Sequence, residues 1–271
     1  GTHPQIGSNQ NASFGVTWSG IVAATKTLFP DVLLSSGFYR PITVNLPEGT
    51  VVNARQPAAV SAGTSGVFEK VMNAVFAVWS QIVPERSLAG SYNLEYLMVG
   101  GEDTRRGRGH FMWYDWLAGG WGGRYSKDGS NATAPVFGVG VVLQSCEVQE
   151  RLTPVVIKNL EMVCDSAGPG YFRGGIGVDK GGVMTDCGKT VVSYSSDRAL
   201  SVPMGLAGGV PSNPQGLWLN PGTEGARFLG ANFSGVDIGP GDHLSRPAAG
   251  GGGYGDPLKR PAESVLEDVI D

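Results

Sequence analysis

Residues 168–182 run Gly168-Pro169-Gly170-Tyr171-Phe172-Arg173-Gly174-Gly175-Ile176-Gly177-Val178-Asp179-Lys180-Gly181-Gly182. Seven of these fifteen residues are glycine, so no helix survives here. Gly175-Ile176-Gly177 invites a dinucleotide-binding reading. The G-x-G-x-x-G spacing that opens a helix is missing, and Val178–Gly182 would break that helix. The structural reading is that glycine lets the chain turn and lets backbones approach closely. A second string, Gly250-Gly251-Gly252-Gly253-Tyr254-Gly255-Asp256-Pro257, is more unusual. Four consecutive glycines are costly in conformational entropy. They mark a place where another backbone, subunit or ligand must come close.

Outward from these strings, the chain after residue 90 alternates short apolar runs with glycine clusters. The runs are Leu94–Val99, Val136–Leu143, Val155–Val163, Val191–Tyr194 and Leu217–Leu219, and they read as short strands in hairpins. Before residue 90 the texture differs. Val16, Ile21, Val22, Ala24 and Leu28 give a helical pattern that stops before Pro30. Residues 32–63 read as extended: Ile42, Val44 and Leu46 alternate, 47–50 turn, and Val51 starts a strand. Phe68, Val71, Met72, Val75, Trp79, Ile82 and Val83 recur at three- and four-residue steps, predicting a helix over 65–83 closed by Pro84. Residues 264–271 read as a short terminal helix. The expected class is α+β, with β-rich mixed or antiparallel sheets and helices concentrated in the first third. Two parts are expected: a helix-containing segment 1–90 and a glycine-rich, β-dominated region 91–271.

Composition narrows the function. The 271 residues include 43 glycines and 17 prolines, nearly twice the usual share. Lys plus Arg is 20 and Asp plus Glu is 24, a formal charge of −4, which gives no basic field for nucleic acid. No 18-residue apolar run exists, so no membrane helix is expected. The start lacks Met, a charged n-region and an apolar h-region, so no signal peptide is visible, and processing or truncation is implied. Cys146, Cys164 and Cys187 are odd in number and contain no CxxC. They read as reduced cysteines of a cytoplasmic protein.

No local motif completes a catalytic constellation. His3, His110 and His243 form no metal-binding spacing. No phosphate-binding P-loop and no G-x-S-x-G elbow occur. Glu147 and Glu150, read as strand residues, face opposite sides and are not an acid pair; ion pairing with arginines is the simpler role. Asp103 with Arg105, Arg106 and Arg108 makes a charged loop, either solvated or holding an anion or a partner's acidic face. Six aromatics between His110 and Tyr125 line a pocket or an interface, or pack the core.

Several strings together resemble the C-terminal half of the hydantoinase B/oxoprolinase family, which includes the large subunits of acetone and acetophenone carboxylases. They are Gly1-Thr2-His3-Pro4-Gln5; Ser36–Pro41 with Leu46–Thr50 and Gln56–Val60; Gly119–Arg124 with Asp128-Gly129; Glu147–Pro154; Asp165–Gly177; and Gly250–Leu258. Full members are roughly twice as long. The resemblance implies that the metal-binding residues lie in a missing N-terminal half, so no cofactor is expected on this chain. It implies a hydantoinase A-type subunit that binds ATP and magnesium, and a hetero-oligomer. The implied chemistry is ATP-driven activation of a carbonyl. Either a cyclic amide is opened by water, or a ketone is carboxylated without biotin; a non-catalytic scaffold that docks the ATPase is the alternative. Arg40, Arg124 and Arg173 are candidate anion contacts through bidentate geometry. Gly174 and Gly175 are candidate amide donors to a developing oxyanion.

Overall fold

Two antiparallel sheets share one apolar interior, and a helical segment precedes them in the chain. The computed structural model describes residues 2–105, 107, 109–135, 138 and 140–270. Helix α1 (Phe14–Leu28) and helix α3 (Glu69–Trp79) pack on each other through Ala24, Phe68, Met72 and Phe76. The stripe over 65–83 is helical but not uniform. Residues 63–68 form one wider π-type turn that leads into α3, and Pro84 opens a short 3-10 turn. The expected extension over 32–63 is interrupted by the one-turn helix α2 (Ser36–Tyr39). Val51 starts no strand: its N–H donates to His3 O at 3.0 Å and its carbonyl accepts from Ala12 N at 2.7 Å. It therefore ties the N-terminal loop instead of joining a ladder.

The first sheet has the order β2 (Gly109–Asp115), β1 (Tyr96–Asp103), β5 (Cys187–Ser195), β8 (Asn232–Ile238). The second has the order β3 (Val155–Met162), β4 (Val178–Met184), β9 (His243–Ser245), β6 (Leu217–Leu219), β7 (Arg227–Gly230). Alternating residues from both, including Leu97, Val99, Trp113, Met184, Val192, Leu217 and Leu244, form the core, as the two-residue strand period requires. The run 136–143 lies partly outside the described residues. Cys146–Leu152 is helix α4, not a strand. Ser145 Oγ caps it by accepting from Val148 N at 3.3 Å, and Glu147 sits in its first turn, where a carboxylate suits the helix dipole. Glu150 then accepts from Ile157 N at 2.8 Å. Helix α5 (Ala262–Ile270) ends the described chain.

Residues 168–177 and 250–257 join neither sheet, while Val178–Gly182 run into β4. Gly251 N donates to Gly175 O at 2.9 Å, Gly252 N to Gly90 O at 2.8 Å, and Gly253 N to Val210 O at 2.9 Å. Three successive residues therefore reach three different segments. The return bonds repeat every third residue: Gly120 N to Ala249 O at 3.0 Å and Gly123 N to Gly252 O at 2.8 Å. A strand addresses two sides in turn; a three-way spread belongs to a polyproline II-type chain. Residues 248–254 are all buried at the centre of this bundle. A Cβ on Gly251 would fall inside the carbonyl of Trp121, and one on Gly174 inside that of Gly251. Close approach by other backbones of this chain is thus what the four glycines serve.

Candidate functional site

Arg173 leaves the rim of the glycine bundle and enters a cavity of about 600 Å³ under α5. Its main chain is fixed because its N–H donates to Asp128 Oδ1 at 2.9 Å. Its guanidinium donates from Nη1 to Asn131 Oδ1 at 3.1 Å and to Gly174 O at 3.0 Å. Nε donates to Asp268 Oδ1 at 2.6 Å. Arg260 faces it across the cavity and grips Asp128 with both Nη atoms, at 2.9 and 2.8 Å. It also donates to Tyr171 O at 2.8 Å and to Asp268 Oδ2 at 2.9 Å. Lys127 lines the same cavity. The carboxylates of Asp128 and Asp268 hold the Arg260 guanidinium above its usual pKa, with the Asp128 hydrogen bonds the largest cause. Two arginines and two aspartates form one closed network of charge-assisted hydrogen bonds.

The other sequence candidates lie elsewhere. Arg40 is exposed just beyond α2. Arg124 bridges the backbone of Leu88 and of Lys127, and its buried Nε has no hydrogen-bond partner among the described residues. Neither lines the cavity that holds Arg173. Gly174 and Gly175 adjoin the cavity, but their amides donate to Gly168 O at 3.0 Å and to Trp121 O at 2.8 Å. In this arrangement those donors are taken by backbone. In the charged loop, Arg105 pairs with Asp103 at 2.6 Å; Arg106 and Arg108 lie outside the described residues. The aromatic segment divides. Trp113 joins the core, while Tyr114 stacks on Tyr96 at the surface with ring centroids 5.6 Å apart.

A second network went unseen in the sequence. Glu95, Asp115, Lys180 and Arg246 meet at one end of the sandwich, all essentially solvent-free. Arg246 holds Glu95 through one Nη and Asp115 through the other, and Lys180 Nζ lies 2.9 Å from Asp115 Oδ2. Glu95 and Asp115 belong to the first sheet's side, Lys180 and Arg246 to the second's, so the charges tie the sheets together. Burial pushes the Glu95 carboxyl up to about 7, against the opposing pull of Arg246. The signal was strand parity. Asp115 shares its parity with Phe111 and Trp113, Glu95 with Leu97 and Val99, and Lys180 with Val178 and Met184. These three charges thus sit on inward registers.

Among the described residues, no three His, Cys, Asp or Glu side chains gather as metal ligands, and no helix is long and apolar enough to cross a membrane. Comparison with known proteins bears on the rest. The model of the hydantoinase B/oxoprolinase family matches residues 1–257. The beta subunit of caprolactamase from Pseudomonas jessenii is 31% identical over 98% of this chain and 47% of its own length. The crystal structure of the ATP-dependent caprolactamase from Pseudomonas jessenii superposes with a TM-score of 0.82 at 27% identity, covering 99% of this chain and 48% of that one. A nucleotide-free acetone carboxylase superposes with a TM-score of 0.79 at 20% identity, over 97% of this chain and 39% of that one, which is a likeness of fold. The chain spans about half the length of the caprolactamase beta subunit and about a fifth that of the 5-oxoprolinase from Saccharomyces cerevisiae.

Proposed function

The chain belongs to the hydantoinase B/oxoprolinase family, and on that premise we propose that it is half of the B-type subunit of an ATP-dependent enzyme that opens a cyclic amide by hydrolysis. The observation that carries the lactam branch is the 31% identity to a caprolactamase beta subunit along nearly the whole chain. The carboxylase likeness stands at 20% and rests on fold. The overall reaction is lactam plus two waters plus ATP giving the ring-opened amino acid, ADP and phosphate: one water opens the ring and the second supplies the oxygen that separates the phosphoryl group from the product. ATP supplies the driving force by phosphorylating the amide oxygen, which makes the carbonyl carbon open to water. A site shielded from bulk water keeps that intermediate from wasteful loss. The partners in this reading are a hydantoinase A-type ATP-binding subunit and the complementary half of the B-type subunit, in a cytoplasmic hetero-oligomer. ATP, magnesium and any divalent metal are held by those partners.

Within this chain the glycine bundle contributes rigidity, because its backbones leave no room for adjustment. A purely bracing role is favoured by one observation: the Gly174 and Gly175 amides are already engaged. Reconstitution with both partners separates the readings. ADP release that depends on a lactam, with one ring opened per ADP, is the expected result. Carboxylation of a ketone with bicarbonate in place of ring opening would overturn the lactam assignment. If an Arg124→Gln/Arg173→Gln double variant keeps its full rate of ring opening, the chain braces the reacting half and holds no substrate.

A further inference from the structure

We infer that Arg173 and Arg260 form an exchangeable carboxylate-binding site, and that Asp268 is its internal plug. Both oxygens of Asp268 are taken: Oδ1 by Arg173 Nε at 2.6 Å, Oδ2 by Arg260 Nη2 at 2.9 Å and Nε at 3.2 Å. Neither arginine depends on α5 for its position. Arg173 is pinned by Asn131 and the Gly174 carbonyl, Arg260 by Asp128 and the Tyr171 carbonyl. If Asp268 leaves, two oriented donor edges stay behind, with the positive charge of Lys127 on the same cavity. Pre-positioned donors need little reordering to take a new ligand.

The plug itself is weakly held. None of residues 262–269 is buried, and Leu266 and Val269 are 59% and 79% exposed. A nine-residue helix is marginal in water without packing, and such elements open at low cost. The helix follows the turn Pro257–Lys259. A carboxylate carried by a loosely packed helix therefore covers Arg173. A free carboxylate that enters has only to compete with Asp268, and its apparent affinity falls by the fraction of time the plug is closed.

The test needs neither ATP nor a partner subunit, so it stands apart from the lactam reading. Succinate and inorganic phosphate are titrated calorimetrically at fixed ionic strength into the wild-type chain and into Asp268→Asn. Succinate is expected to bind Asp268→Asn about 1.5-fold to fivefold more tightly than wild type, the range that displacing a part-exposed ion pair allows. Adding Arg173→Gln to Asp268→Asn should abolish the gain. Arg173→Lys, which keeps the charge without the fork, should weaken it. Equal succinate affinity in wild type and Asp268→Asn would overturn the plug. A gain that survives loss of Arg173 in a folded chain, or binding of phosphate without succinate, would overturn the carboxylate site.

Discussion

Two networks of the same charge inventory sit in opposite surroundings. Glu95, Asp115, Lys180 and Arg246 are at most 4% exposed, whereas the side chains of Arg173, Arg260, Asp128 and Asp268 range from 10% to 33% exposed. Each contains two cations and two anions. In the buried network every charge has given up its hydration, and among the described residues Arg246 Nε still finds no hydrogen-bond partner. Its members cannot be exchanged, because losing one strands the others in a medium that solvates charge poorly. In the outer network water can replace any member at small cost. Burial, not charge count, separates a tie between sheets from a site that can trade ligands.

The sharpest way to break this contrast is Arg246→Ala. It leaves Glu95 and Asp115 facing each other with only Lys180 for compensation. A loss of about 3–5 kcal/mol in unfolding free energy is expected, read by urea denaturation at neutral pH. A loss below about 1 kcal/mol would place the buried network with ordinary surface pairs and erase the distinction.

The next effect is in pH. Glu95 ordinarily ionises near 4.5 and is raised to about 7 in the folded chain, chiefly by burial. The folded state thus binds this proton more tightly than the unfolded state. The resulting stabilisation is complete below about pH 4.5 and is lost as pH rises through 7. At 1.36 kcal/mol per pH unit, the swing is up to about 3 kcal/mol. Glu95→Gln removes this titration while keeping the shape of the neutral acid. The stability of wild type relative to Glu95→Gln should therefore fall between pH 4.5 and 7. A difference that stays flat across that window would mean that Glu95 is charged throughout.

What the sequence disclosed divides along similar lines. Local spacing was enough for α1 and for most of α3, because a helix writes its buried face every three to four residues. Short apolar runs located β1, β3, β5 and β6 for the equivalent reason. Glu147 was misread because a seven-residue helix next to a strand offers too short a pattern; its Ser145 cap was the better signal. The glycine strings were recognised as sites of close approach. Their three-way bonding was not, since the segments around Gly251 and Gly252 come from residues 90, 123, 168 and 175. The networks were harder still. Arg260 meets Asp128 across 132 residues and Arg173 meets Asp268 across 95, and no single-sequence period carries such pairings. Arg173 was singled out for its fork, yet its partner lies on a helix whose only sequence mark is a few spaced apolar residues.

The smallest expected effect completes the contrast. Asp268→Asn removes one charge from the outer network but keeps the side chain's size and leaves Asp128 on Arg260. The side chains of Arg173 and Asp268 are 23% and 26% exposed, so water can solvate what the substitution frees. The expected cost is about 0.2–1 kcal/mol. Because Asp268 is partly open to solvent, raising the salt concentration to about 1 M should shrink the difference between wild type and variant, the Debye length there being about 3 Å. Arg246→Ala, measured beside it, should keep its deficit at high salt because its charges lie beyond the reach of ions. If both deficits shrink alike, the sheet-end network is open to solvent; if neither shrinks, α5 is bound by more than its carboxylate.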